Sequence, residues 1–195
     1  GVVLRSTDAG INWQSHNAPI TTDLASVSFR NSTDGFAVQR PKYLLRSTDG
    51  GVSWTQISGS GTGLPNGRIW DLIVDDSNNS RFYCTVGGNG VYRSTDGGER
   101  WERILAVGEY TGVNEVHLDP RNPDVIFAVK HQRLRNVAAL MNGGPESGIF
   151  KSTDGGQTWN ELTNGLPEGS KGKIGLAISP VDSDYVYATI ELGAR

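Results

Sequence analysis

The chain has 195 residues, 36% of them hydrophobic and 20% charged, with a formal net charge of −3. That make-up excludes a disordered chain, and 26 glycines without a Gly-X-Y period exclude collagen and point to many tight turns. No long basic run is present and no segment reaches the roughly 18 apolar residues of a membrane span, so neither nucleic acid nor membrane insertion is expected. In chain order, the first predicted strand is Val2–Arg5, followed by the pair Leu24–Phe29 and Phe36–Arg40, then Tyr43–Arg46. Next come Arg68–Val74, Arg81–Val86, Val91–Arg93 and Trp101–Leu105. Val113–Leu118, Val125–Lys130, Ile149–Lys151 and Trp159–Leu162 repeat that order, and Ile174–Ile178 with Tyr185–Ile190 begin it again. No 10-residue stretch carries a helical period; Lys130–Leu140 comes nearest. Cys84, the sole cysteine, sits within a strand and reads as a small core hydrophobe.

One phrase recurs four times between these strands. It is Ser-x-Asp-x-Gly-x-x-Trp, carried by Ser6, Asp8, Gly10 and Trp13; by Ser47, Asp49, Gly51 and Trp54; by Ser94, Asp96, Gly98 and Trp101; and by Ser152, Asp154, Gly156 and Trp159. From Asp to Asp the spacings are 41, 47 and 58 residues. Periods of roughly 40–50 residues with four strands each suit propeller blades. The chemistry of the phrase suits a hairpin turn. Hydroxyl and carboxylate bond the local backbone, glycine supplies positive φ, and the tryptophan lays its ring against a neighbouring sheet. A single four-stranded sheet leaves apolar faces open, so repeats must stack.

The expected fold is therefore an all-β propeller of four-stranded antiparallel blades, about four blades' worth. The segments are a half-blade at 1–20, blades at 21–62, 63–108 and 109–166, and a half-blade at 167–195. A stretch of a larger propeller, completed by flanking blades or a partner chain, is favoured over a four-bladed ring closed by the two halves. A ring of four lies at the lower limit for propellers.

The repeated phrase is the Asp-box, or bacterial neuraminidase repeat. The chain resembles Asp-box propellers, a group that includes sialidases, xyloglucanases, photosystem II assembly factors and sortilin-type proteins. The stretch Val27–Val38 with Leu44–Gly51 resembles the photosystem II assembly factor repeat. The stretches Gly90–Gly98, Asp119–Asp124, Gly143–Asp154, Asn164–Pro167 and Lys173–Pro180 resemble bacterial sortilin-type, "glycosyl hydrolase-like" proteins. The resemblance implies an extracellular or periplasmic place.

The four box aspartates are expected to be structural, because one active site does not need the same acid four times. A sialidase would need an Arg-Ile-Pro motif, where this chain has Phe29-Arg30-Asn31-Ser32; Arg30 reads as a solvated turn charge. A xyloglucanase needs two facing carboxyl groups. Asp71 and Glu115, at comparable places in two inner strands, are the catalytic candidates, and their plainer reading is a pair of channel acids satisfied by hydrogen bonds. His16, His117 and His131 lack ligand spacing, and the Asp75–Ser80 turn lacks a calcium-loop pattern and reads as a solvated turn, so no metal or cofactor is expected. The loops on the face opposite the boxes are the expected binding surface. The longest is His131–Ser147. Candidate ligand-binding residues are His131, Arg133 and Arg135 with Trp70 and Asp71; Trp70 reads either as a stacking platform or as core. The expected function is non-catalytic, extracytoplasmic recognition of a protein or carbohydrate, or scaffolding; the alternative is a fragment of a xyloglucanase- or sialidase-like glycoside hydrolase with its catalytic carboxylates partly outside this chain.

Overall fold

The computed structural model describes residues 1–19, 23–39, 43–137 and 140–192, and among them every regular element is a β-strand. Two strands, β1 (Val2–Arg5) and β2 (Gln14–Asn17), form an antiparallel pair. A four-stranded sheet follows in sequential order: β3 (Leu24–Phe29), β4 (Gly35–Gln39), β5 (Tyr43–Ser47) and β6 (Thr55–Gln56). The next has β7 (Ile69–Asp75), β8 (Asn78–Val86), β9 (Gly90–Ser94) and β10 (Glu102–Leu105). The third contains β11 (Thr111–Leu118), β12 (Ile126–Arg135), β14 (Gly148–Ser152) and β15 (Asn160–Leu162), with β13 (Leu140–Asn142) paired on the extension of β12. The chain finishes with the pair β16 (Lys171–Ile178) and β17 (Val186–Leu192). All of these pairings are antiparallel, as hairpin-length connections require. The predicted strand ending at Arg40 stops at Gln39; Arg40 lies outside the described residues.

The chain forms two compact units, Gly1–Ile69 and Trp70–Arg195. In the first, Val3 and Ala18 pack against Ala37, Leu45 and Trp54 of the adjoining sheet. In the second, alternation along β12 sends its side chains to two cores. Ile126 and Ala128 join Tyr83, Val91, Leu105, Val113 and Val116 on one face. Phe127 and Val129 join Ile149, Ile174 and Leu176 on the other. A strand buried on both sides is what stacked sheets demand, and the period of two decides which residue faces which neighbour. Cys84 is fully buried and its thiol pKa is pushed up by desolvation, in keeping with an inert core residue.

Three expectations need correction. The segment from His131, read as a loop, continues β12 through Arg135 and turns back as β13. Its hydrogen bonds, not an apolar pattern, make it a hairpin. Arg30 is not a solvated charge: it bonds Asp34, whose carboxylate also takes Arg46 Nε at 3.1 Å. Nor is the Asp75 turn simply solvated. Asp75 is fully buried and pairs at 2.6 Å with Arg81, which reaches on to Asp124 at 2.5 Å.

Candidate functional site

The four boxes share one set of bonds. In each, the Ser Oγ donates to the Asp Oδ1 at 2.7–2.8 Å and accepts the N–H of the second glycine position (Gly10, Gly51, Gly98, Gly156) at 2.8 Å. The same Asp oxygen accepts the N–H of Asn12, Ser53, Arg100 or Thr158 at 2.9 Å. The Trp Nε1 donates to that glycine's carbonyl at 2.9–3.2 Å. Both residues at the tip have positive φ: Gly50 and Gly51, Gly97 and Gly98, Gly155 and Gly156, but Ala9 and Gly10 in the first box. Three of the tips also tie to the hairpin of the first two strands of their own sheet, since Gly50 and Gly155 donate to the Thr33 and Asp124 carbonyls of its turn and Gly97 to the Ser80 carbonyl at the start of β8.

These bonds hold the box carboxylates ionised. Asn12 N–H, with Ser6 and Asn12 side chains, lowers Asp8 to about 2, and the Thr158 hydroxyl and N–H lower Asp154 to about 2. The hydroxyl and N–H of Ser53 push Asp49 down as well. At Asp96 burial acts upward, but the Arg100 N–H and Ser94 hydroxyl outweigh it and the net shift is downward. A carboxylate saturated by donors and shifted away from neutrality is unsuited to proton transfer near pH 7. The tryptophans divide by context. Trp54 and Trp101 are buried and Trp159 packs on Ile104, also bonding its carbonyl at 3.0 Å. Trp13, expected to bury its ring against a sheet, is instead 59% exposed.

The two inner-strand carboxylates behave alike. Asp71 Oδ2 on β7 accepts the Val116 N–H of β11 at 3.2 Å. Glu115 Oε2 on β11 accepts the Leu176 N–H of β16 at 2.9 Å. Each acid thus bonds the backbone of the following sheet, at matching positions. Desolvation raises the pKa of Asp71, opposed by that Val116 bond and by His117. His117 Nε2 lies 3.3 Å from Glu115 Oε2. Trp70, beside Asp71, is 43% exposed, which places its ring at the surface rather than in the core.

The hairpin β12–β13 presents Arg133 and Arg135 to solvent, while His131 is buried with Nε2 lacking a hydrogen-bond partner among the described residues. Burial, then the nearby Arg133, lowers the His131 pKa and favours its neutral form. The hairpin is anchored on two sides. Asn142 Nδ2 donates to Glu191 at 3.2 Å, and Glu146 accepts the Thr111 hydroxyl. Sequence reasoning missed Lys130 and the Glu146 and Glu161 carboxylates, which line a cleft below this hairpin. They are far apart in sequence and carry no motif. Among the described residues no group of three or more His, Cys, Asp or Glu is placed to hold a metal.

The profile described as "Sortilin, neurotensin receptor 3" matches residues 42–188. The chain belongs to the sortilin family. Among curated relatives, this sortilin-family chain is 26% identical over 200 residues to the xyloglucanase Xgh74A of Acetivibrio thermocellus, a match covering 81% of the chain and 22% of that protein. It is 29% identical over 185 residues to the photosystem II assembly lipoprotein Ycf48 of Synechococcus sp. (strain CC9902), covering 93% of the chain and 50% of the relative. Among solved structures it superposes on the GH74 enzyme of Niastella koreensis with a TM-score of 0.61 at 22% identity, over 95% of the chain and 29% of the enzyme. Ycf48 from Cyanidioschyzon merolae gives 0.54 at 16% identity, over 98% and 63%. The fold is that of a β-propeller, and the chain spans 22% of the xyloglucanase and half of the assembly lipoprotein it matches.

Proposed function

We propose that this sortilin-family propeller is a non-catalytic recognition or scaffolding module acting outside the cytoplasm, with a protein or carbohydrate as its ligand. The observation that carries this reading is the use made of the acids. The four box aspartates are tied into their own turns, and Asp71 and Glu115 each accept a backbone N–H from the next sheet. An acid that closes a buried backbone donor fills a structural need. The exposed ring of Trp70 and the cations Arg133 and Arg135 suit ligand contact. An extracytoplasmic site of action accords with the description of one relative as a lipoprotein. Screening the purified chain on peptide and glycan arrays tests the proposal: saturable binding without turnover is expected, and release of sugar from a polysaccharide with no added enzyme would refute it.

A second reading, a fragment of a glycoside hydrolase whose carboxylates lie partly outside this chain, is favoured by the xyloglucanase similarity and by the upward shift of Asp71. Asp71→Asn and Glu115→Gln in the longest natural form of the protein decide it. Loss of β-glucan hydrolysis with the fold intact would support the enzyme; hydrolysis unchanged in both variants would remove these candidates.

A further inference from the structure

A cleft of about 380 Å³ opens beside the third sheet, lined by Ala106–Gly108 of the β10–β11 connection, by Lys130 on β12, Phe150 on β14, Glu161 on β15, and by Pro145 and Glu146 of the hairpin segment above. That volume lies within the roughly 300–1,000 Å³ of small-molecule sites. The roof is fixed in place. Glu146 takes the Thr111 hydroxyl with its carboxylate and gives its N–H to Gln132 Oε1 at 3.2 Å. Gly108 leaves room for it, because a Cβ there would fall 2.4 Å from Glu146 Oε2.

The polar lining is only partly paired within the protein. The Lys130 ammonium rests 4.0 Å above the centre of the Phe150 ring. It makes no ion pair within 4.0 Å among the described residues, although Glu146 and Glu161 act on it through space. Burial lowers the Lys130 pKa against the pull of those two acids. The cleft therefore offers the Lys130 ammonium donors, the Glu146 and Glu161 carboxylate acceptors, and an apolar wall of Val107, Pro145 and Phe150. A cationic ligand would meet Lys130 as well as the two glutamates, and an anionic one the two glutamates as well as Lys130. A neutral ligand whose hydroxyls both donate and accept meets neither penalty and satisfies both sides.

We propose that this cleft binds a neutral, polyhydroxylated ligand the size of one sugar unit, its hydroxyls bridging Lys130 Nζ and the Glu146 and Glu161 carboxylates. The proposal rests on the recognition reading and gives it a site that is separate from Asp71, Trp70 and the exposed arginines. The experiment is calorimetric and NMR titration of the whole chain with methyl glucoside, methyl galactoside and methyl xyloside, and with glucuronate and glucosamine as charged counterparts. Saturable binding of at least one neutral glycoside is expected, with both charged sugars weaker. Lys130→Met and Glu161→Gln should each weaken binding about tenfold, the scale of one lost hydrogen bond to a charged group. Gly108→Ala, which displaces Glu146 without touching Lys130, should weaken it too, while Asp76→Asn, at an exposed carboxylate of the β7–β8 turn, should leave it unchanged. No saturable binding of any neutral glycoside, equal binding of the charged sugars, or unchanged affinity in folded Lys130→Met would overturn the proposal. If an array ligand still binds Lys130→Met as it binds the parent chain, the cleft assignment fails while the recognition reading stands.

Discussion

Replacing Ser47 by alanine isolates what the Asp-box hydroxyl does. Ser47 is buried, and its Oγ holds three bonds: it accepts Gly51 N–H at 2.8 Å and Asp49 N–H at 3.4 Å, and donates to Asp49 Oδ1 at 2.8 Å. The Gly51 bond is buried, so no water replaces the lost acceptor and an orphaned donor remains. An unsatisfied buried donor costs about 1–3 kcal/mol; with the weakened Asp49 contacts added, a loss of about 2–3 kcal/mol is expected for Ser47→Ala. Ser6 makes the same bonds in the same compact unit, but its Gly10 bond is exposed. Water can take over there, and Ser6→Ala should cost less than about 1 kcal/mol. Urea unfolding of the two variants, each compared with the parent chain by tryptophan fluorescence, measures both values. Equal losses, or a larger loss for Ser6→Ala, would refute the argument. So would a Ser47→Ala protein of unchanged stability.

Other outcomes follow from the same geometry. Arg81→Met leaves Asp75 charged and fully buried without its partner, and should destabilise by roughly 3–5 kcal/mol; adding Asp75→Asn should recover part of that in denaturant titrations. Gly50→Ala combines a φ of +75° with a Cβ 2.8 Å from the Ser32 carbonyl oxygen, and should cost more than about 1–2 kcal/mol. Ala9→Gly, at the equivalent tip with φ 58°, should be neutral or stabilising in the same assay. The box carboxylates also set an acid limit. Asp8 and Asp154 are shifted below the ordinary 3.8 to about 2, so their contribution is complete above about 3.8 and is lost as pH falls toward 2. Thermal stability measured between pH 4 and pH 2 should fall less steeply for Asp154→Asn than for the parent chain.

Much of the fold was legible because the boxes are local. Ser, Asp, Gly and Trp interact within a few residues, so the phrase states its own geometry, and the continuous apolar run Ile126–Val129 marks a strand covered on both faces. What depends on partners distant in sequence was not legible. Trp13 and Trp54 occupy identical places in identical phrases, yet one ring is exposed and the other buried, since only packing distinguishes them. The Asp75–Arg81–Asp124 chain read as ordinary turn polarity, because nothing near Asp75 announces Asp124. The polar run Lys130–Arg135 hid its strand, which is stabilised by pairing with Leu140–Asn142 rather than by an apolar stripe. The site was the least legible part. Asp71 and Glu115 were visible as acids, but their bonds to Val116 and Leu176 arise only when sheets stack, and the Lys130 cleft draws its lining from five separate segments.

The paired reach of Asp71 and Glu115 into the following sheet bears on how the sheets are fastened. The strand β7 carries one such hook and β11 another, while β11 and β16 offer the backbone N–H groups they fasten, so β11 alone is tied in both directions. Gly175, at the corresponding place in β16, has no side chain with which to pass the hold onward. A Cβ there would lie 3.0 Å from Thr189 Oγ1 and 3.9 Å from Glu115 Oε1, so the place is already shared with the hook that reaches it.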